Sequence, residues 1–222
     1  MSAKTSRRAG WGVFAGLAVL TAIVWGRTSG YDFVWDDRYF IVQNTALRSW
    51  SFLPRYFRDL STMTATGWAD RFVVFRPLRN VSYLIDFSMA GLDPRWWHVH
   101  NVLLHLLNAF LVYRLAVLLR LGSGRASSGG RAAEGPAGWV PHLWAAFAGA
   151  VFLLHPVQTE AVAWVKCRDD LLMVLFVLLA ALVYFRWVMG PGVKPREVSA
   201  GRAGPAGARG AFRFHGPVLA GL

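Results

Sequence analysis

The sequence predicts an all-α membrane protein: about four transmembrane helices, with a large structured outer loop between the first and the second. Three observations predict it. Of the 222 residues, 55% are hydrophobic and 16% charged, with a mean hydropathy of +0.36; a soluble domain carries about 25% charged residues. The apolar residues fall in blocks long enough to cross a bilayer, which takes about 20 residues. The charges are also sorted, with basic residues crowding some connections and carboxylates crowding others.

The first span lies near 10–26, uncharged between Arg8 and Arg27. Its apolar core runs into Trp25 and Arg27 and not into a small-x-small cleavage site, so it reads as an uncleaved anchor. The second, near 97–119, is uncharged to residue 113 and keeps its apolar pattern past Arg114 to Leu119. The third, near 139–155, lies in the uncharged stretch between Glu134 and Glu160 and is stopped by Pro156. The fourth, near 170–189, contains the aliphatic run LLMVLFVLLAALVYF.

Lys4, Arg7 and Arg8 precede the first span; Arg120, Arg125 and Arg131 fill the gap between the second and third; Arg186, Lys194, Arg196, Arg202, Arg209 and Arg213 follow the fourth. The positive-inside rule places these three segments, and with them both termini, in the cytoplasm. Of the twelve carboxylates, only Glu134 and Glu197 then lie inside. Orientation therefore accounts for the net charge of +12, and nucleic acid is not implied as a partner. The single cysteine, Cys167, excludes an intrachain disulfide and a Cys-rich metal site.

The connection GSGRASSGGRAAEGPAG is of low complexity and carries no chemistry. Residues 190–222 form a basic Gly/Pro/Ala-rich tail, expected to be flexible, and no tetratricopeptide-length repeat is present in the sequence. The loop 27–96 differs from both: its density of Trp, Tyr and Phe is that of a packed segment. Within it, residues 49–60, SWSFLPRYFRDL, suit a helix lying on the membrane surface.

Four motifs bear chemistry. Asp36-Asp37, set among Phe33, Trp35, Tyr39 and Phe40, suits either a general base with a raised pKa or a helix cap or turn. His98, Asn101 and His105 share one face of the second span at i, i+3 and i+7, with Asn108 at its edge. Such a stripe orders a site or supplies interhelical hydrogen bonds. Glu160, Trp164 and Arg168, at i, i+4 and i+8, are expected to share a helical face, followed by Asp170. Carboxylate and guanidinium together suit a phosphate and a polar sugar, or an interfacial salt bridge. Arg76 and Arg79, in FRPLR, can meet a lipid phosphate at a membrane face. Asn80-Val81-Ser82 fits the N-glycosylation tripeptide. No carboxylate stands at ligand spacing from His98, His100 and His105, so no divalent metal is indicated.

In order, the chain presents an anchor span, aromatic-WDD, Asn44, FRPL, a Gly-Leu-x-Pro turn (Gly91, Leu92, Pro94), H-x-x-N-x-x-x-H, and LHPxxTExVxW-x-x-x-R-x-D-LL. This series resembles the amino-terminal part of the GT-C-type membrane glycosyltransferases related to the transmembrane-and-tetratricopeptide-repeat O-mannosyltransferases and their bacterial relatives. It covers roughly residues 10–186. The resemblance implies a partial GT-C-like fold over residues 1–189. It also implies a hexose donor on a polyprenyl or dolichyl phosphate, used on the non-cytoplasmic face, and an acceptor hydroxyl on protein or glycan. Asp36 and Asp37 match the family's catalytic carboxylate in the first loop. Arg76, Arg79, Glu160, Arg168 and Asp170 are the expected donor-binding residues, and His98, Asn101 and His105 the polar lining. No cofactor is implied beyond the lipid-linked sugar, which is substrate.

The sequence departs from the family pattern at Cys167, where Gly often precedes the Arg. Family members also carry many more spans and usually a carboxy-terminal repeat domain. The chain is therefore expected to be an amino-terminal portion, inactive alone. The Ala/Arg/Gly-rich linkers point to a GC-rich coding sequence. A bacterial inner membrane is the expected location, or the endoplasmic reticulum if the source is eukaryotic. The competing readings are a non-catalytic membrane scaffold, indifferent to Asp36, and a transporter using the His/Asn stripe.

Overall fold

The computed structural model describes residues 3–65, 75–127 and 140–188. Residues 190–222 and the middle of the low-complexity connection lie outside the described residues. Six α-helices are described: α1 (Ala3–Trp25), α2 (Pro77–Ala90), α3 (Pro94–Ser127), α4 (Val140–Leu154), α5 (Thr159–Ala163) and α6 (Arg168–Val188). No strand occurs among the described residues.

Three helical stretches are long and apolar enough to cross a membrane: Arg8–Gly30, Pro94–Leu119 and Val165–Trp187. A fourth passes only as a bent pair, His142–Leu154 with Pro156–Ala163, turned by 48°. Among the described residues the protein is thus all-α, with three candidate membrane spans, or four if the bent pair counts as one. The bend follows from Pro156, which has no N–H to continue the ladder. Val157 N–H turns instead to His155 Nδ1 at 3.2 Å. The orphaned carbonyl of Leu153 is met from neighbouring helices, by Trp25 Nε1 at 3.0 Å and His105 Nε2 at 3.1 Å. Side chains of α1 and α3 thereby cap α4, as a buried helix end requires.

Helix α3 is the centre of the bundle, packed by α1, α4 and α6. Each neighbour turns one stripe toward it. On α1 the buried positions are Gly10, Leu17, Thr21 and Trp25; on α4 they are His142, Ala145, Gly149 and Leu153. Both sets step by three, four or seven residues, one helical face. Leu17, Leu106, Ala109 and Leu153 form the shared core. Most of α6 faces outward, with Met173, Phe176, Val177, Val183 and Trp187 exposed, as suits a lipid-facing surface.

The closest approach is between α3 and α4. A Cβ added at Gly149 would lie 3.0 Å from the Ala109 carbonyl oxygen and 3.3 Å from Tyr113 Cβ. Small residues at such crossings let backbones meet without a hydrophobic driving force. Gly149→Val is expected to separate the helices and cost about 1–3 kcal/mol, the range for overpacking. Thermal unfolding of the purified chain in detergent measures it.

Between α1 and α2 the chain makes a series of tight helical turns: Gly26–Gly30, Arg38–Val42, Thr45–Arg48, Trp50–Phe57 and Leu60–Thr62. They enclose a core of their own. Phe40, Ile41, Ala46, Leu47, Tyr56 and Met63 pack with Tyr83 and Leu84 of α2, Trp97 of α3 and Val165. Asn44 ties the turns together, accepting from Ala46 N–H at 3.1 Å and donating to the Thr62 carbonyl at 3.1 Å. Asn80 of α2 donates to the same carbonyl at 2.8 Å. With Asn80 fully buried, the Asn80-Val81-Ser82 tripeptide offers no glycan acceptor in the folded protein.

Candidate functional site

The Asp36-Asp37 turn begins with a strained residue. Trp35 has φ +46, in the left-handed region that costs a bulky side chain roughly 1–2 kcal/mol. Its ring is largely exposed and meets Trp164 edge to face at 5.3 Å. The turn directs the two acids differently. Asp37 is fully buried; Oδ2 accepts from Val34 N–H at 3.1 Å and Oδ1 from Lys166 N–H at 2.9 Å. Burial pushes its carboxyl up from 3.8 to about 6, against the pull of those two amide bonds, with Asp36 adding repulsion. The Asp36 carboxylate is half-buried and has no hydrogen bond or ion pair among the described residues. One acid is thus fastened and the other unpaired.

Lys166 belongs to a short turn, Val165–Cys167, between α5 and α6. Tyr83 Oη holds this turn from α2, donating to the Val165 carbonyl at 3.1 Å. Arg168, next along, is fully buried and committed to the protein. It donates through Nε to Asn101 Oδ1 at 2.7 Å, through Nη2 to the Trp97 carbonyl at 2.9 Å, and through Nη1 to Asp86. The rings of Tyr83 and Trp97 flank it, with centroids 5.1 and 5.6 Å away. The arginine expected at a donor phosphate is therefore enclosed, and the anion it meets is Asp86. Nor do Glu160, Trp164 and Arg168 share a face. Trp164 is extended, with φ −102 and ψ 117, so α5 ends before it and the i, i+4, i+8 relation fails.

The polar stripe is buried as a whole: His98, Asn101, His105 and Asn108 are each at most 1% exposed. Three of the four bind backbone carbonyls of other segments. Asn101 reaches Trp164 at 3.3 Å, His105 reaches Leu153 at 3.1 Å, and Asn108 reaches Leu171 at 2.9 Å. His98 lies beside the Asp32 backbone and meets Tyr31 edge to face at 6.0 Å.

Arg76 and Arg79 lie on the other side of the Val165–Cys167 turn, at a groove of about 360 Å³. Arg76 is half-exposed and ion-paired with Asp169; Asp170 is 3.9 Å from it. Arg79 is buried, stacked 4.5 Å from the Phe40 ring centroid and 3.8 Å from Asp169. Its Nε and Nη1 have no hydrogen-bond partner among the described residues, and burial pulls its pKa down. Below these charges the groove is apolar, with Leu172, Met173 and Phe176 of α6. Glu160 is not part of it; it lines a separate cleft with Tyr31, Trp35 and Trp164. No group of three or more His, Cys, Asp or Glu among the described residues is arranged to hold a metal ion.

Two residues of this arrangement were not singled out in the sequence, Asp86 and Tyr83, and His100 was weighed there only as a metal ligand. Asp86 carries the buried pair with Arg168, and its other oxygen lies 2.5 Å from His100 Nδ1. The available signal is periodicity. Arg79, Tyr83 and Asp86 stand at i, i+4 and i+7, a polar face on α2 that the fold turns inward.

Comparison with characterised proteins yields a consistent set. The protein O-mannosyl-transferase tmtc2 of Xenopus laevis is 30% identical over 174 residues, covering 76% of this chain. Human protein O-mannosyl-transferase TMTC1 is 30% identical over 192 residues, 82% of the chain, and human TMTC4 31% over 176 residues, 73% of the chain. The chain is a relative of the protein O-mannosyl-transferases. It spans about one fifth of the length of these O-mannosyl-transferases: 18%, 19% and 21% respectively. No family model matches the chain, and no solved structure does.

Proposed function

We propose that this chain is the amino-terminal membrane portion of a GT-C-type glycosyltransferase. It would move a hexose, mannose-like, from a polyprenyl- or dolichyl-phosphate donor to a protein or glycan hydroxyl. The observation that carries the reading is the kinship with protein O-mannosyl-transferases over some three quarters of the chain. The geometry around the Val165–Cys167 turn supports it: Asp37, the neighbour of the unpaired Asp36, accepts from Lys166 N–H, and Arg76 of the two-arginine groove pairs with Asp169, three residues further along.

The reaction divides among these groups. Asp36 takes the proton of the acceptor hydroxyl, whose oxygen bonds to the anomeric carbon as the bond from that carbon to the phosphate oxygen breaks. Polyprenyl phosphate leaves with the bonding pair. Arg76 and Arg79 meet the phosphate, with Arg76 exchanging Asp169 for it. The apolar floor formed by Leu172, Met173 and Phe176 takes the first isoprene units. Asp170 and Glu160 accept from sugar hydroxyls. Arg168, Asn101, His98 and His105 act from behind, holding the turn in place. The loop carrying Asp36 faces the non-cytoplasmic side, with both termini in the cytoplasm, in a bacterial inner membrane or the endoplasmic reticulum.

Transfer itself is the test. Native membranes carrying the full-length protein to which this chain contributes the amino-terminal portion are expected to move labelled hexose from a polyprenyl-phosphate hexose into protein. Arg76→Ala is expected to raise the donor KM about tenfold, the scale of one charge-assisted hydrogen bond. Transfer no greater than in membranes lacking the protein would overturn the reading.

A further inference from the structure

The far end of the bundle holds a second concavity. Gly10 and Trp11 of α1, Phe110, Tyr113 and Arg114 of α3, and His142 of α4 enclose about 280 Å³. Gly10 leaves the space open, since a Cβ there would stand 3.8 Å from the Tyr113 hydroxyl oxygen. That hydroxyl and His142 Nδ1 are 2.8 Å apart, which fixes a polar wall. Tyr113 lies twelve residues beyond Asn101, about 18 Å along the helix at 1.5 Å per residue. The cavity is thus remote from the Asp36-Asp37 turn and independent of any reading of it.

Arg114 is the telling residue. It lies inside the candidate span Pro94–Leu119, yet it is exposed and has no ion pair among the described residues. Among the described residues its marked contact is with Phe110, whose ring centroid lies 5.9 Å from the guanidinium carbon. A cation at that depth is costly unless it reaches the interface or meets an anion. The described residues supply none nearby: residues 8–25, 103–119, 142–154 and 171–187 contain no Asp or Glu. Of the acids in the connecting sequences at this end, Glu134 and Glu197 fall outside the described residues, and the same sequences carry Lys4, Arg7, Arg8, Arg120 and Arg125. At the end of a span the surroundings supply countercharge as lipid headgroups.

We propose that this cavity binds the phosphate of an anionic phospholipid from the leaflet facing these helix ends. Arg114 is the phosphate ligand, the Tyr113–His142 pair the polar wall, and Trp11, 67% exposed, the rim at the acyl boundary. Basic pockets between transmembrane helices take headgroups in this way.

The test uses the purified 222-residue chain in neutral detergent. Native mass spectrometry compares phosphatidylglycerol with phosphatidylcholine of the same acyl chains. Phosphatidylglycerol is expected to be held about tenfold more tightly, as a few favourable basic contacts would give. Arg114→Gln, which removes the charge from an exposed position, and Gly10→Leu, which fills the cavity, are each expected to reduce the preference to about twofold or less. Arg114→Lys, which keeps the charge, should retain most of it. Equal retention of the two lipids, a preference unchanged in both Arg114→Gln and Gly10→Leu, or equal displacement by millimolar inorganic phosphate would each overturn the proposal.

Discussion

Replacing Arg168 with Met is expected to lower stability by about 3–5 kcal/mol, the loss found when one partner of a buried charge pair is removed. The guanidinium is fully buried and meets Asp86, Asn101 and the Trp97 carbonyl, drawing together α2, α3 and the start of α6. Without it, Asp86 keeps only His100, and two further buried acceptors lose their donor. Arg168→Lys is expected to recover less than roughly half of the loss, because one ammonium cannot reproduce a planar fork across three acceptors. The informative comparison is the double variant Asp86→Leu/Arg168→Met. It leaves no uncompensated charge in the interior, so it should be milder than Arg168→Met alone. Equilibrium unfolding in detergent, followed by tryptophan fluorescence, reads all three. A cost under about 1 kcal/mol for Arg168→Met, the range of an exposed pair, would contradict the assignment of this pair as the joint of the fold.

This joint shows where sequence reading stops. The spans were legible because hydropathy over some twenty residues is a local property, and the end of α4 was legible because Pro156 is a local obstacle. The stripe His98, Asn101, His105 was legible as a period, and its burial is what a polar face inside a span implies. What the period could not reveal was its partners, since the carbonyls of Leu153, Trp164 and Leu171 come within reach only once distant parts of the chain pack against α3. Asp86 and Arg168 are 82 residues apart and share no pattern. The expectation that Arg168 would meet a phosphate, on one face with Glu160, assumed a helix running unbroken through Trp164. The extended backbone there turns Glu160 outward and Arg168 inward. In the segment after α1, aromatic density announced packing, but the order of its tight turns depends on contacts with Tyr83, Trp97 and Val165, far along the chain.

Asp36→Asn is expected to lower hexose transfer at least about 100-fold, the low end for loss of a positioned general base, with membrane insertion unchanged. The two acids are distinguishable because the fold treats them differently. Asp36 is unpaired among the described residues, so an amide there removes a base and breaks no contact. Asp37 accepts two backbone N–H groups, and Asp37→Asn replaces one acceptor oxygen with an NH2 facing an N–H. That variant should lose both stability and rate, and its pH dependence should change. Burial raises the Asp37 carboxyl from 3.8 to about 6, so between these values the folded state holds its proton more firmly than the unfolded chain. Stability therefore falls as pH rises from about 4 to about 6 and levels above it. Asp37→Asn should remove this slope, whereas Asp36→Asn should only reduce it slightly by relieving repulsion. Transfer per inserted molecule, measured against pH, should inflect near 6 while Asp37 is present and lose that inflection in Asp37→Asn. Near-normal turnover in Asp36→Asn, Asp37→Asn and the double variant would leave the pair as a turn-former alone, and would move the search for the base to Glu160 and Asp170.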